Sequence, residues 1–222
     1  DTLRTLYGLS MAHWGNGDIA QAEPLTRQGL ETSRQVLGEK DPLTLQFMYA
    51  HAVVLNFLGQ TPWTKIEPFF LQALALHRER EDELRTLKLI VGLSVGYTLH
   101  WQPGKAEPLT VNALEHSQRA LGPDHPDTGN LITTLGWIYE ELNQPERAKE
   151  LVLRSYELRR RILGEGSPRT LSSFVLLTRI YVQQRQFDEA RPHTEEAIAR
   201  IRDRPAVLND LYLPFQVGEL GW

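Results

Sequence analysis

The sequence predicts an all-α fold, a solenoid of five helix-turn-helix units. Three observations carry that reading: residues that recur every 42 positions, helical apolar spacing within each unit, and turn residues where that spacing stops. Thr2, Thr44, Thr86, Thr128 and Thr170 recur without a miss, and Leu3, Leu45, Leu87 and Leu171 follow them in four of the five units. Gln60, Gln102, Gln144 and Gln186 form a second ladder, and Ala22, Ala106, Ala148 and Ala190 a third. Gly38, Gly122 and Gly164 form a fourth, with Arg80 at the missing step.

Each unit reads as two helices. In the fourth, Leu131, Leu135, Ile138 and Leu142 are helically spaced, and Asn143-Gln144-Pro145 breaks the run. A second run, from Ala148 through Leu151, Val152, Ser155, Tyr156 and Leu158, continues to Leu163 and stops at Gly164. Asp41-Pro42 and Ser167-Pro168 place a capping side chain before a proline at the first helical position. Gly38, Gly122 and Gly164 are expected as left-handed C-terminal caps. Asn16-Gly17-Asp18 and Gly59-Gln60-Thr61-Pro62 read as turns between the two helices of a unit. In the second unit, Ile66-Glu67-Pro68-Phe69 matches Ala22-Glu23-Pro24-Leu25 only after a shift of two. An insertion near Thr61-Pro62-Trp63 and a shortening near Arg80 account for it, since stacked helical units tolerate length changes in their turns.

Small residues predict the close helix crossings: Ser10, Ala52, Ser94, Gly136 and Thr178 in first helices; the alanine ladder and then Gly29, Ala73, Ala113, Ser155 and Ala197 in second helices. Pro24, Pro68, Pro108 and Pro192 lie beyond the first turn of second helices, where each removes a hydrogen bond and bends the helix slightly. The units are expected at about 1–42, 43–84, 85–126, 127–168 and 169–204. The apolar segment Val207-Leu208-Asn209-Asp210-Leu211-Tyr212-Leu213-Pro214-Phe215 places a C-terminal cap or a groove-filling tail at 205–222.

In four of the five units the small residue of the first helix, Gly136, Ser94, Thr178 or Ser10, is followed three positions later by Tyr139, Tyr97, Tyr181 or His13, and nine further on by alanine. This spacing resembles the tetratricopeptide signature; HEAT-type pairs have similar periods but lack it. The 42-residue period, the Ala-Glu-Pro-Leu segments and Leu121-Gly122-Pro123-Asp124-His125-Pro126-Asp127-Thr128 resemble the kinesin light chain subclass, common in bacterial proteins. The resemblance covers roughly residues 1–204. It implies a right-handed solenoid whose first helices line a concave groove. Carried over through the small-residue ladder, the groove positions are Arg4, Tyr7, Met11 and Trp14, then Gln46, Tyr49, Val53 and Asn56, then Lys88, Val91, Val95 and Thr98. The fourth unit supplies Asn130, Thr133, Trp137 and Glu140, the fifth Ser172, Val175, Arg179 and Val182.

Two readings of these positions stay open. Exposed, they form an apolar patch rich in hot-spot residue types; in the other phase, Tyr7, Trp14, Tyr49 and Trp137 pack against neighbouring helices. The paired asparagines typical of kinesin light chain repeats are replaced by Tyr7-Gly8, Tyr49-Ala50, Val91-Gly92, Thr133-Thr134 and Val175-Leu176, so the subclass resemblance is one of fold.

The composition excludes several functions. The 222 residues are 41% hydrophobic and 23% charged, with a net charge of −4, which opposes a general phosphate-backbone binder. The runs Arg159-Arg160-Arg161 and Arg200, Arg202, Arg204 are read as solvated polar faces. Without cysteine there is no disulfide, thiolate chemistry or cysteine-based zinc site. No nucleotide loop, nucleophile elbow or metalloprotease motif occurs, and the seven histidines are scattered. His125 reads as a helix cap rather than a metal clip, and Glu140-Glu141 and Glu195-Glu196 as surface pairs rather than convergent carboxylates. No catalytic residue, cofactor or metal is expected, and no nucleic-acid or membrane partner. No apolar stretch matches a membrane span, and the expectation is a cytoplasmic protein without a signal peptide. The chain opens on Asp1, part-way into the pattern, and is read as a piece of a longer protein. The expected function is a scaffold binding a partner protein or peptide; the alternative is self-association, the groove being filled by a second copy or by the chain's own tail.

Overall fold

The computed structural model describes residues 2–203. Segment 205–222, expected as a cap or tail, lies outside the described residues. Ten α-helices occur among them: α1 Thr2–Gly15, α2 Ile19–Leu37, α3 Pro42–Leu58, α4 Trp63–Glu79, α5 Glu83–Leu99, α6 Pro103–Ala120, α7 Pro126–Glu141, α8 Pro145–Leu163, α9 Pro168–Gln183 and α10 Phe187–Asp203. Two compact units divide inside α5, the first ending at Gly96 and the second beginning at Tyr97.

Helix starts follow the expected chemistry. Asp41 caps α3, its Oδ1 accepting from the Leu43 amide at 2.8 Å, with Pro42 at the first helical position. His125 caps α7 in the same way, its Nδ1 accepting from the Asp127 amide at 3.2 Å, so this histidine organises a turn. Ser167 precedes Pro168 as expected, but its hydroxyl makes no capping bond. Pro24, Pro68, Pro108 and Pro192 lie inside α2, α4, α6 and α10, each the sixth residue of its helix.

A fifth ladder becomes visible only in the backbone. Gly17, Gly59, Trp101, Asn143 and Arg185, spaced by 42 residues, all have positive φ, from 56 to 81°. Each ends a first helix. After Gly17, Trp101, Asn143 and Arg185 the next residue's amide reaches back five positions, as in Gln102 to the Tyr97 carbonyl (2.8 Å) and Gln144 to that of Tyr139 (2.8 Å). This is the Schellman closure, and it explains the glutamine ladder's register. At the other end of each unit the expectation needs correcting. Gly38 and Gly164 have positive φ (88 and 81°), but their ψ of 167 and 164° lies outside the left-handed helical well. That region is essentially restricted to glycine, so the ladder is of glycine for a stricter reason than a left-handed cap.

In the first unit, Leu45, Phe47, Met48, Ile66 and Phe70 are fully buried. Aromatic rings meet edge to face there: Tyr7 on Phe47 (5.3 Å), Trp14 on Phe57 (5.2 Å) and Tyr49 on Phe70 (6.0 Å). Glycine permits this packing. A Cβ on Gly92 would lie 2.8 Å from Phe70 and 2.9 Å from Tyr49; Phe47 lies against Gly29 and Trp63 against Gly96 closely enough that a methyl group would collide. In the second unit the core runs through Leu131, Ile132, Ile138, Val152, Leu177 and Ile180. There Gly136 lets α8 approach α7, since a Cβ on it would be 2.6 Å from Val152 Cγ2. Ser10, Ala52, Ser94, Ala22, Ala106, Ala148 and Ala190 are buried, as crossing positions should be.

Candidate interaction face

The groove positions divide between the two units. In the first, Tyr7, Trp14, Tyr49, Val53, Asn56, Val91 and Val95 are buried. Met11, Gln46 and Lys88 are partly exposed and Arg4 is exposed. Of the two readings of the aromatics, the packing contacts are the ones present here: Tyr7, Trp14 and Tyr49 spend their faces on Phe47, Phe57 and Phe70. Of the groove positions in this unit, Arg4, Met11, Gln46 and Lys88 keep exposed surface.

In the second unit, Thr133 and Trp137 are buried, Asn130 is partly exposed and Arg179 is exposed. The Thr133 hydroxyl bonds the Gly129 carbonyl and pairs with Ser155 Oγ. Trp137 Nε1 donates to Glu141 Oε1 at 3.0 Å. Arg179 pairs with Glu140, a groove position on the neighbouring first helix. The Glu140 side chain is 3% exposed and that of Arg179 48%. Burial raises the Glu140 carboxyl above the usual range, against the guanidinium's opposing pull. Glu140 and Glu141 thus point to different partners, as their adjacency predicts, but Glu140 is buried and not the surface residue expected.

One residue was misplaced by its sequence neighbours. Arg159, read as part of a solvated run with Arg160 and Arg161, is buried at 7% exposure, whereas Arg160 and Arg161 are exposed. Its Nη1 donates to the Arg169 carbonyl (2.9 Å), Ser173 Oγ (2.9 Å) and Ser172 Oγ (3.3 Å), and its Nη2 to Asn130 Oδ1 (2.9 Å). It therefore ties α8 to groove positions on both α7 and α9. The repeat register carried the signal: Arg159 stands 42 residues after Ser117 and 126 after Ser33, both buried. In the second basic run, Arg204 lies outside the described residues, as do the side chains of Arg200 and Arg202.

Among the described residues no three of His, Asp and Glu gather as a metal ion would require. No helix among them is long and apolar enough to cross a membrane.

Comparison with known proteins agrees with this geometry. Residues 2–43 and residues 102–161 each match the tetratricopeptide repeat family. No curated protein gives a significant match. Among solved structures, the nearly identical TPR-like repeats of a Podosopora anserina kinesin light chain-like protein superpose with a TM-score of 0.69. They share 22% identity over 91% of this chain and 95% of that one. A Rap protein complexed with competence and sporulation factor gives a TM-score of 0.78 at 17% identity, over 94% of this chain and 55% of that one. NprR in complex with its cognate peptide NprX gives 0.77 at 15% identity, over 96% and 59%. Residues 2–43 and 102–161 are thus tetratricopeptide repeats, and the chain has the fold of a tetratricopeptide array. That fold is similar to the kinesin light chain-like repeats.

Proposed function

We propose that the chain is a protein-interaction scaffold that binds a peptide segment of a partner protein along its first helices. The observation that carries this reading is the fold likeness to two arrays solved with bound ligands, Rap with competence and sporulation factor and NprR with its peptide. Within the chain, a fringe of long and polar side chains over a packed floor supports it: Arg4, Met11, Gln46 and Lys88 in the first unit, Asn130 and Arg179 in the second. A floor that is already packed stays put on binding, which limits the ordering cost of association. Arginine and methionine are enriched at interfaces.

The test is selection of phage-displayed random dodecapeptides on the 222-residue chain, followed by affinity measurement on Arg4→Glu/Lys88→Glu and Arg179→Glu variants. Enriched peptides that lose affinity for at least one variant, with helicity unchanged, support the reading. Enriched peptides indifferent to all three charges move the site off these helices. A mass that rises with concentration, with no peptide enriched, favours self-association instead.

A further inference from the structure

Among the described residues no carboxylate stands against the buried Arg159. The polar ladder to which it belongs holds Ser33, Ser117 and, after the two-residue insertion, His77, all buried. The position facing it has also changed. Ser173 stands 42, 84 and 126 residues after Leu131, Leu89 and Phe47, which are buried core residues. At this one junction a small residue has become a long cation, and a large apolar residue has become a hydroxyl that makes room for it. His77, at the matching place in the first unit, has Asp82 Oδ2 at 3.5 Å. Among the described residues the acceptors of Arg159 are all neutral: a carbonyl, two serine hydroxyls and the Asn130 amide oxygen.

The charges nearby do not compensate it. Arg169, on α9, is a second cation, and after burial it is the next cause lowering the Arg159 pKa to about 9. Asp127, on α7, reaches the Asn130 Nδ2 at 3.5 Å and meets Arg159 only through that amide. Desolvating a guanidinium is costly, and neutral acceptors offset the cost only in part. An apolar residue at 173 with a serine at 159, the arrangement of Ser33 with Phe47 and of Ser117 with Leu131, avoids that cost. Asn130 and Arg169, which touch it, are partly exposed. The positive end of the α9 dipole points the same way.

We propose that Arg159, with Arg169 at its rim, receives the side-chain carboxylate of an aspartate or glutamate in a peptide bound to the second unit. A carboxylate arriving there supplies the missing counter-charge in a desolvated setting, where charge-assisted bonds to a guanidinium are strongest. The inference rests on the peptide-binding reading above and adds the chemistry of one subsite.

The same dodecapeptide selection tests it on the wild-type chain, on Arg159→Ser/Ser173→Leu, which installs the residues found at Ser117 and Leu131, and on Arg169→Gln. The top wild-type peptide is then synthesised with its acidic residue, with the matching amide, and with a free or amidated C-terminus. Selection should enrich Asp or Glu at one fixed position. The acid-to-amide change should weaken wild-type binding about tenfold and leave binding to the double variant unchanged, with Arg169→Gln in between. Peptides enriched without a fixed acidic position overturn this inference and leave the peptide-binding reading standing. So does an acid-to-amide penalty that persists undiminished in the double variant, or a dependence carried by the terminal carboxylate. If circular dichroism shows the double variant unfolded, Arg169→Gln decides: an undiminished penalty there refutes the site. Failure to enrich any peptide overturns both readings.

Discussion

Trp101→Gly should stabilise this protein, although it deletes the largest side chain type. Trp101 holds the third step of the backbone ladder, where the first two units carry Gly17 and Gly59. Its φ of 59° puts the Cβ in the crowded left-handed well, at a cost of about 1–2 kcal/mol for an ordinary L-residue. The side chain returns little, because the residue is 85% exposed. Glycine relieves the strain but adds freedom to the unfolded chain, which takes back about 0.4–1 kcal/mol. The net expectation is a gain of about 0.5–1 kcal/mol, or a rise of about 1–4 °C in melting temperature at this chain length. The reciprocal change checks the argument. Gly59 has φ 65° and ψ 5°, and a Cβ there meets nothing within 4 Å. Gly59→Ala therefore tests the backbone alone and should cost about 1 kcal/mol. Urea unfolding followed by far-ultraviolet circular dichroism measures both. A loss of stability in Trp101→Gly, or no change in Gly59→Ala, would refute the view that backbone conformation sets the preference at this ladder.

Trp63→Ala empties the space over Gly96 and removes a ring 6.0 Å from Phe70; thermal unfolding should report a loss of about 3–5 kcal/mol. Asp41→Ala removes the acceptor for the Leu43 amide and should cost about 1 kcal/mol in the same assay, with Asp41→Asn recovering most of it. His51 gives a pH dependence. It is buried, with Nδ1 3.1 Å from Thr26 Oγ1; burial first, then Arg27 and Arg34, lowers its pKa from 6.5 to about 4. The fold prefers the neutral ring, so the unfolded chain binds the extra proton. The contribution of His51 is whole above pH 6.5, falls as the pH drops towards 4 and levels off below that, a loss on the order of 3 kcal/mol. Unfolding free energies measured across that range should show a shallower acid slope in His51→Gln; an unchanged slope would mean that the ring is charged in the fold.

The helix count and boundaries were legible because they depend on local chemistry repeated five times. Pro42 and Pro126 begin helices, Gly38 and Gly164 follow them, and a period of 42 residues makes each unit a copy against which the others can be read. The fold class follows, since a two-helix unit with one apolar face must stack on the next to bury it. The candidate face was legible only in part. Helix phase identifies Tyr7, Trp14, Tyr49 and Trp137 as neighbours of one surface. It does not say which side of that surface is filled, because Phe47, Phe57 and Phe70 come from elsewhere in the chain to cover the first three. Arg159 shows the same limit more sharply. Beside Arg160 and Arg161 it reads as one more solvated charge, and nothing local separates the three. Its burial was decided by Ser173, on the next helix, whose small side chain opens the space that Phe47, Leu89 and Leu131 close in the earlier units. Local propensity and turn chemistry are properties of a short stretch and are written in it. Burial belongs to pairs of residues far apart in the chain, and only the packed tertiary structure brings those pairs together.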